Sequence, residues 1–341
     1  MGRLEGLLGL DHPVVQGPFG GGLSSVALAA AVSNAGGLGS YGGHILPPDR
    51  LTALVAELKA ATDRSFAVNL WVPHPEEKDA VATQADVERL RPYYDALGLT
   101  PPTPSPAPDF TEQAAALLDA APPAISFVMG VPPADVLAEA RRKGIVTIGT
   151  ATTVDEAVAL EAAGLDAIVA SGSDAGGHRG AFLRPVRESL VGTFSLIPQV
   201  ADKVSVPVIA AGGIADRRGV VAALALGADA VQVGTGFLVT EESAVGEAHL
   251  RALLGDEARV TVLTRLFSGR TARAIPNTFV REMAAFEDVV PPYPAQNQLM
   301  LPIRRAGGAE HANLWSGQAA PLVRRRKAAA YLSDLAGLTA E

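Results

Sequence analysis

One histidine lies in a glycine-rich segment in which an imidazole could reach a bound substrate. The segment runs Ser171-Gly172-Ser173-Asp174-Ala175-Gly176-Gly177-His178-Arg179-Gly180 and follows an apolar run. Because an imidazole has an unperturbed pKa of about 6.5, it can accept a proton at neutral pH. We therefore expect His178 to act as a catalytic base rather than as a solvated loop residue. Asp174 could orient it, although an acidic residue among glycines is more often a turn former.

Two other glycine-containing segments follow apolar, β-branched runs and could bind a phosphate. They are Ala210-Ala211-Gly212-Gly213-Ile214 and Gln232-Val233-Gly234-Thr235. Glycine leaves the backbone N–H groups bare, and several such groups can point at one anion. The same glycines could instead only permit tight turns. A phosphate site here would not distinguish a flavin from a sugar phosphate.

Polar residues also occur at or near the ends of three other apolar runs. They are found in Gln16-Gly17-Pro18-Phe19, at Asn69 and at Ser126. Asn69 carries both a donor and an acceptor, as the edge of a heteroaromatic ring requires. Phe19 and Trp71 would supply apolar walls beside such a ring.

The sequence predicts no bound metal. It contains no cysteine, which excludes thiolate nucleophiles, disulfides and cysteine-based zinc or iron–sulfur sites. The remaining histidines form neither an HxH nor an HExxH spacing. They are His12, His44, His74, His249 and His311.

Short apolar runs would position these residues as strands. Eight of them lie at 14–16, 38–40, 66–70, 125–128, 146–149, 167–170, 208–211 and 231–234. Helical spacing recurs between them, at 26–33, 51–61, 134–143, 154–163 and 217–226. Strands that are apolar on both faces are typical of a parallel sheet covered by helices. The alternation predicts an α/β fold, a (β/α)8 TIM barrel with its active site at the C-terminal strand ends. A doubly wound sheet with a separate second domain is the alternative.

The regular alternation ends after Thr235, which divides the chain. We expect residues 1–237 and 313–341 to form the barrel, and 238–312 to form a small, mainly helical insertion domain over its C-terminal mouth. Within this part we predict a helix near 242–254, a mixed stretch over 259–313 and a basic helix near 320–335. The proline-rich stretch 98–110 is predicted to be a surface connection.

Composition narrows the class of protein further. Of the 341 residues, 48% are hydrophobic and 19% charged, as in ordinary globular proteins. A net charge of −8 and a pI of about 5.3 argue against nucleic acid as a partner. No run reaches the roughly 18 apolar residues of a membrane span, and residues 1–11 are too short and too charged for a signal peptide. We expect a cytoplasmic protein that binds neither nucleic acid nor membrane.

With these segments in view, the chain resembles the class I nitronate monooxygenases, formerly called 2-nitropropane dioxygenases, over nearly its whole length. The resemblance is carried by Val15-Gln16-Gly17-Pro18-Phe19, Ser33-Asn34-Ala35-Gly36-Gly37-Leu38-Gly39, Asn69-Leu70-Trp71-Val72-Pro73, Gly149-Thr150-Ala151-Thr152-Thr153, Asp174 to Gly180, Ala210 to Asp216, Gln232 to Thr235, Ser268-Gly269-Arg270-Thr271-Ala272-Arg273 and Leu314-Trp315-Ser316-Gly317-Gln318.

The resemblance implies an FMN-dependent barrel with His178 as its catalytic base. The positions expected to hold FMN are Gly17, Pro18, Phe19, Asn69, Ser171, Gly176, Gly177, Gly212, Gly213, Gln232, Val233, Gly234, Thr235, Gly317 and Gln318. The family usually has Gln at Ser171, Glu at Asp174, Met at Phe19 and Phe at Trp71. Ser171 lacks the long amide side chain that would reach the flavin. Phe19 and Trp71 would form walls on the side of the substrate.

The implied substrates are an alkyl nitronate, or a nitroalkane that His178 deprotonates at carbon, together with O2. One electron would pass from the nitronate to FMN, and oxygen would capture both radicals, giving a carbonyl compound and nitrite. Two alternatives are an FMN-dependent enoyl-thioester reductase using NADH or NADPH, which would not need His178 as a carbon base, and a non-enzymatic flavin-binding protein. We expect a monomer or a homodimer.

Overall fold

The architecture is a closed barrel of parallel strands, described by a computed structural model over residues 2–77, 80–105 and 107–338. In chain order the strands are β1 (Val14–Gln16), β2 (Gly39–Gly42), β3 (Phe66–Trp71), β4 (Ala124–Val128), β5 (Val146–Ala151), β6 (Ala167–Ser171), β7 (Gly177–His178), β8 (Val208–Ala211), β9 (Ala230–Val233), β10 (Val262–Thr264) and β11 (Ala272–Ala274). The eight predicted strands are all present, and the predicted TIM barrel is confirmed.

The barrel sheet has the order β1-β9-β8-β6-β5-β4-β3-β2, and every pairing is parallel. A bridge between Val15 and Leu38 joins β1 to the start of β2 and closes the ring. Val14 pairs with Val231 on the other side of β1. Just outside this pair, Arg3 binds Asp229 through two hydrogen bonds of 2.7 and 2.8 Å.

Helices cover the outside of the barrel and build the segment after β9. They are α1 (Arg3–Leu8), α2 (Val26–Asn34), α3 (Pro48–Ala61), α4 (Gln84–Ala96), α5 (Phe110–Ala120), α6 (Ala134–Arg142), α7 (Val154–Ala163), α8 (Thr193–Ala201), α9 (Arg217–Ala225), α10 (Thr235–Leu238), α11 (Glu247–Leu254), α12 (Thr278–Met283), α13 (Ala295–Ala306), α14 (Gly308–His311) and α15 (Ala328–Ala336).

The boundaries of these helices follow from local chemistry, as α7 shows. The side chain of Thr153 accepts a hydrogen bond from the Glu156 N–H and so caps the first turn. Gly164 ends the helix with φ of 92°, a left-handed conformation that a side chain would strain. The chain then turns directly into β6, which is apolar and buried along most of its length.

The segment 238–312, predicted to be a mainly helical insertion, contains strands as well as helices; it is called the insertion below. β10 pairs with β11, and β11 pairs in turn with β7, so a separate antiparallel sheet forms beside the barrel. The predicted helix near 242–254 is present as α11, which begins only at Glu247. The basic helix is shorter than predicted, because Ala320–Leu322 form a separate 3-10 turn and the exposed basic run before Ala328 is extended at Lys327. The helix begins where buried Ala328 and Tyr331 face the barrel helices.

The insertion packs on α4 through an apolar cluster of its own. Leu90 and Tyr94 of α4 meet Phe267, Phe279 and Met300 there, all nearly inaccessible to solvent. The Tyr94 hydroxyl donates a 2.6 Å hydrogen bond to the Leu299 carbonyl. Among the described residues, no helix is long and apolar enough to cross a membrane.

Candidate active site

A cavity of about 600 Å³ lies at the C-terminal ends of the barrel strands. Most residues singled out from the sequence line it: Gly17, Pro18, Phe19, Asn69, Ser171, Gly176, Gly177, His178, Gly212, Gly213, Gln232, Gly234, Thr235 and Gly317. Val233 does not, because its side chain packs into the core. Gln318 is exposed, and its backbone N–H donates to the Asp174 carbonyl at 3.0 Å.

The glycines after β8 and β9 form one wall of the cavity. Gly212 and Gly213 have φ of 107° and 69°, which side chains rarely adopt. No acceptor within the described residues is hydrogen-bonded to the N–H groups of Gly213, Ile214 or Gly234. A Cβ built on Gly234 would have open space, with the nearest atom, Phe19 Cε1, at 3.9 Å. This wall therefore offers bare donors and room for an anionic group.

Asn69 lies near the C-terminal end of β3 and lines the cavity. Its amide nitrogen donates to the Ser126 carbonyl at 3.1 Å and to the Ser126 hydroxyl at 3.0 Å. The carbonyl partner can only accept, so it fixes which end of the amide is the nitrogen. Within the described part of the chain Asn69 Oδ1 has no hydrogen-bond donor, so it is available to a ligand, while the side chain as a whole is buried.

Buried arginines hold the segment that follows β6. Arg179 donates to the Gly172 and Ser171 carbonyls at 2.7 and 2.8 Å, and Arg273 donates to the Ser173 carbonyl at 2.9 Å. Burial lowers the pKa of Arg179 to about 10, so it stays a cation at neutral pH. These hydrogen bonds anchor the backbone of the segment to two positively charged side chains.

Asp174 does not orient His178, although the sequence left that role open. Its carboxylate accepts a 2.8 Å hydrogen bond from the Thr193 N–H, at the first residue of α8. The geometry supports the other interpretation, in which Asp174 stabilises the turn. The partner of His178 is Ser268, whose Oγ lies 2.8 Å from Nε2.

His178 lies on β7, a two-residue strand, and not in an irregular loop as expected. The backbone partner of His178 is Ala272 on β11, so the insertion fixes its position. The indoles of Trp71 and Trp315 meet the imidazole edge-on, with ring centroids at 4.8 and 5.1 Å. Burial, followed by the charge of Arg270, holds the pKa of His178 well below its usual value. The imidazole is therefore neutral at physiological pH.

Sequence reasoning missed His44, which stacks on Trp71 at a centroid distance of 3.7 Å with the rings 1° from parallel. Burial lowers the pKa of His44 to about 3. Behind the indole, Arg270 lies 5.0 Å from the ring centroid and forms a buried ion pair with Glu77. His44 follows β2 by two residues, so its position at a strand end was the available signal. Nothing in the sequence indicated that Trp71 would be its neighbour.

Arg304 was also missed, and it adds a cation to the cavity wall. Its guanidinium donates to Asn297 Oδ1 at 2.8 Å, and no ion pair to a carboxylate is found for it within the described part of the chain. Burial and the neighbouring charge of Arg305 lower the pKa of Arg304 to about 10, which leaves it protonated. The sequence gives little signal for this residue, because Arg304 lies more than 120 residues after His178.

The segment after α14 closes the cavity. The Gly317 N–H donates to Thr235 Oγ1 at 2.9 Å, which links this segment to the end of β9. His249 Nε2 lies 2.8 Å from the Trp315 carbonyl, an acceptor only, so that nitrogen carries the proton. Gly176 lies against the same segment, where a Cβ would meet the Gly317 nitrogen at 2.4 Å. Access to the cavity is thus restricted on this side.

Known proteins of one family match this chain over nearly its whole length. A family model described as nitronate monooxygenase matches residues 2–336. A probable nitronate monooxygenase of Staphylococcus saprophyticus is 39% identical over 345 residues, covering 98% of this chain and 96% of that protein. A probable nitronate monooxygenase of Staphylococcus aureus is 39% identical over 340 residues, with the same coverage.

Solved structures of two further proteins are similar. A nitroalkane oxidase from Streptomyces ansochromogenes superposes with a TM-score of 0.91 at 38% identity, covering 98% of this chain and 97% of that one. FabK from Thermotoga maritima superposes with a TM-score of 0.77 at 31% identity, covering 98% and 94%.

Proposed function

We propose that this chain, which belongs to the nitronate monooxygenase family, uses bound FMN and O2 to convert alkyl nitronates into a carbonyl compound and nitrite. Membership of that family makes it an oxidoreductase. The observation that carries the finer proposal is the position of a neutral imidazole, His178, in the same cavity as the bare glycine wall and Asn69.

The residues present fit FMN. The N–H groups after β8 and β9 would bind its phosphate, because they have no acceptor within the described residues and no side chain covers Gly234. Asn69 Oδ1 would accept from a ring N–H. When bound, FMN would supply the redox step, taking electrons from the nitronate and passing them to oxygen.

His178 would act at the carbon of a neutral nitroalkane by taking up one proton on its imidazole. Because its pKa is held below the usual value, the imidazole is unprotonated and free to accept. The same shift makes it a weak base. Preformed nitronates, which have already lost this proton, should therefore be the better substrates.

The charge of the cavity also favours nitronates, since they are anions. Arg304 lies in the wall without a carboxylate partner among the described residues, and Arg305 follows it. A cation in a partly enclosed site attracts an anion more strongly than it does in water. The neutral nitroalkane gains little from this charge.

The test compares two substrates in one variant, His178→Asn. We expect FMN content to be retained and turnover of a neutral nitroalkane to fall by about 10²–10⁴-fold, the usual loss of a general base, while oxidation of the matching preformed nitronate changes much less. His12→Asn, outside the cavity, is the control. Equal losses on both substrates would mean that His178 positions the anion instead of accepting a proton.

A separate measurement tests the cofactor and the reductase alternative. Acid release should give FMN, and anaerobic mixing with a nitronate should reduce it. The enoyl-thioester reductase alternative predicts instead that NADH or NADPH reduces the flavin. Rapid reduction by NADH or NADPH with no reduction by nitronate would overturn the proposal, as would a protein that binds no FMN.

A further inference from the structure

We propose that Ser268 is a positioning residue that fixes the tautomer of His178, so that Nδ1 presents its lone pair to the cavity. The inference rests on the proposed role of His178 as a base and names the atom that takes the proton. It comes from the hydrogen bonds around one buried hydroxyl, which is 1% exposed.

The Ser268 hydroxyl has one hydrogen and three neighbours. Its oxygen lies 2.8 Å from His178 Nε2, 3.2 Å from the Arg270 carbonyl and 3.3 Å from the Arg270 nitrogen. The carbonyl can only accept and the backbone N–H can only donate. Whether His178 donates or accepts then depends on where the single hydroxyl hydrogen lies.

Only one arrangement satisfies every group. If the hydroxyl donates to the Arg270 carbonyl, its oxygen accepts from the Arg270 N–H and from a protonated Nε2 of His178. If it donates to Nε2 instead, the Arg270 carbonyl loses the only hydrogen bond that it accepts within the described residues. A buried polar group without a partner is costly. The first arrangement is therefore favoured, with the proton on Nε2.

The other ring nitrogen is then free. Nδ1 has no hydrogen-bond partner within the described residues. It is also not fully enclosed by protein atoms. His178 lines the cavity, so this nitrogen is the one that a substrate can reach. Trp71 and Trp315 restrain the ring edge-on, which limits its rotation.

The insertion contacts both the backbone and the side chain of His178. Ser268 lies just before β11, and β11 pairs with β7 through Ala272 and His178. The Arg179 N–H also donates to the Thr271 carbonyl at 2.9 Å. The same strand that fixes the backbone of His178 thus brings the hydroxyl to its side chain.

The direct test is the tautomer of His178, read from nitrogen–proton correlations in protein labelled with ¹⁵N-histidine. The His178 signals are assigned by their loss in His178→Asn. At pH 7.5 we expect a protonated Nε2 and an unprotonated Nδ1, with and without FMN. A protonated Nδ1 would overturn the inference.

The kinetic test uses Ser268→Ala and Ser268→Thr. Loss of the acceptor removes a hydrogen bond that the imidazolium makes after proton uptake, so Ser268→Ala should lower kcat/KM for a neutral nitroalkane about tenfold. The preformed nitronate should be affected much less. Threonine keeps the hydroxyl and should restore most of the rate.

A matched control separates positioning from packing. Ser33 is also buried and hydrogen-bonded, but it lies on α2 outside the cavity. Ser33→Ala should leave the ratio of the two substrates unchanged. If His178→Asn separates the substrates and Ser268→Ala does not, the inference fails while the proposed base stands. If His178→Asn does not separate them, the proposed role of His178 as a base fails first, whereas nitronate oxidation itself is tested by the anaerobic reduction of FMN.

Discussion

Replacing Gly234 with alanine tests whether the glycine wall binds a phosphate. Gly234 has φ of −96°, which alanine adopts without strain, and a Cβ there would have no protein atom closer than 3.9 Å. The folded protein therefore has space for the methyl group. A phosphate bound to the same backbone would leave no space for that methyl group.

The expected loss follows from one charged hydrogen bond. Such bonds contribute about 1.5–3 kcal/mol, and each 1.4 kcal/mol is about tenfold in affinity. We expect Gly234→Ala to bind FMN roughly 10- to 100-fold more weakly. The free energy of unfolding of the FMN-free protein should change by less than about 1 kcal/mol.

The assay is titration of FMN-free protein with FMN, followed by quenching of flavin fluorescence, beside urea unfolding of the same protein. Gly246→Ala is a matched control, since Gly246 also precedes a helix, has open space and lies outside the cavity. Gly213 is a poorer position, because its φ of 69° would strain any side chain. Unchanged FMN affinity in Gly234→Ala would refute this location for the phosphate.

Two further predictions concern stability. Burial lowers the pKa of His44 to about 3 and that of His249 to about 4, and it holds the pKa of His178 well below its usual value. As pH falls below about 6.5, the unfolded chain takes up protons at these histidines while the folded imidazoles stay neutral. Urea unfolding at pH 5 should therefore show a loss of about 2 kcal/mol per histidine relative to pH 7, and equal stability would contradict this. Glu77→Gln leaves Arg270 buried without its partner and should cost about 3–5 kcal/mol. The same change at exposed Glu88 should leave the midpoint of thermal unfolding nearly unchanged, because surface ion pairs contribute little to stability.

The barrel was predictable from sequence because its strands are locally distinct. Most of the runs are apolar and contain β-branched residues, and all eight lie within one or two residues of their predicted bounds. Family membership was predictable for a related reason, because the segments at the strand ends keep their residue types. The comparisons confirm it.

The insertion sheet was not predictable, since β7 has two residues and β10 and β11 have three each. Strands this short show no recognisable alternation of apolar and polar residues, and β7 forms only by pairing with β11, about 90 residues further along the chain. The same distance hid the partner of His178. Asp174 was the nearby candidate in sequence, whereas Ser268 reaches the imidazole only when the insertion folds back.

Closure of the barrel through β1 has a consequence for synthesis of the chain. β1 pairs with β9, and Arg3 pairs with Asp229, 226 residues along the chain. A ribosome that adds about 5–20 residues per second needs roughly 10–45 s to make that stretch. During this time Val14 and Val15 have no partner on one edge. The first strand to be made is thus among the last to be completed, and the nascent chain must be kept from aggregating until the ninth strand emerges.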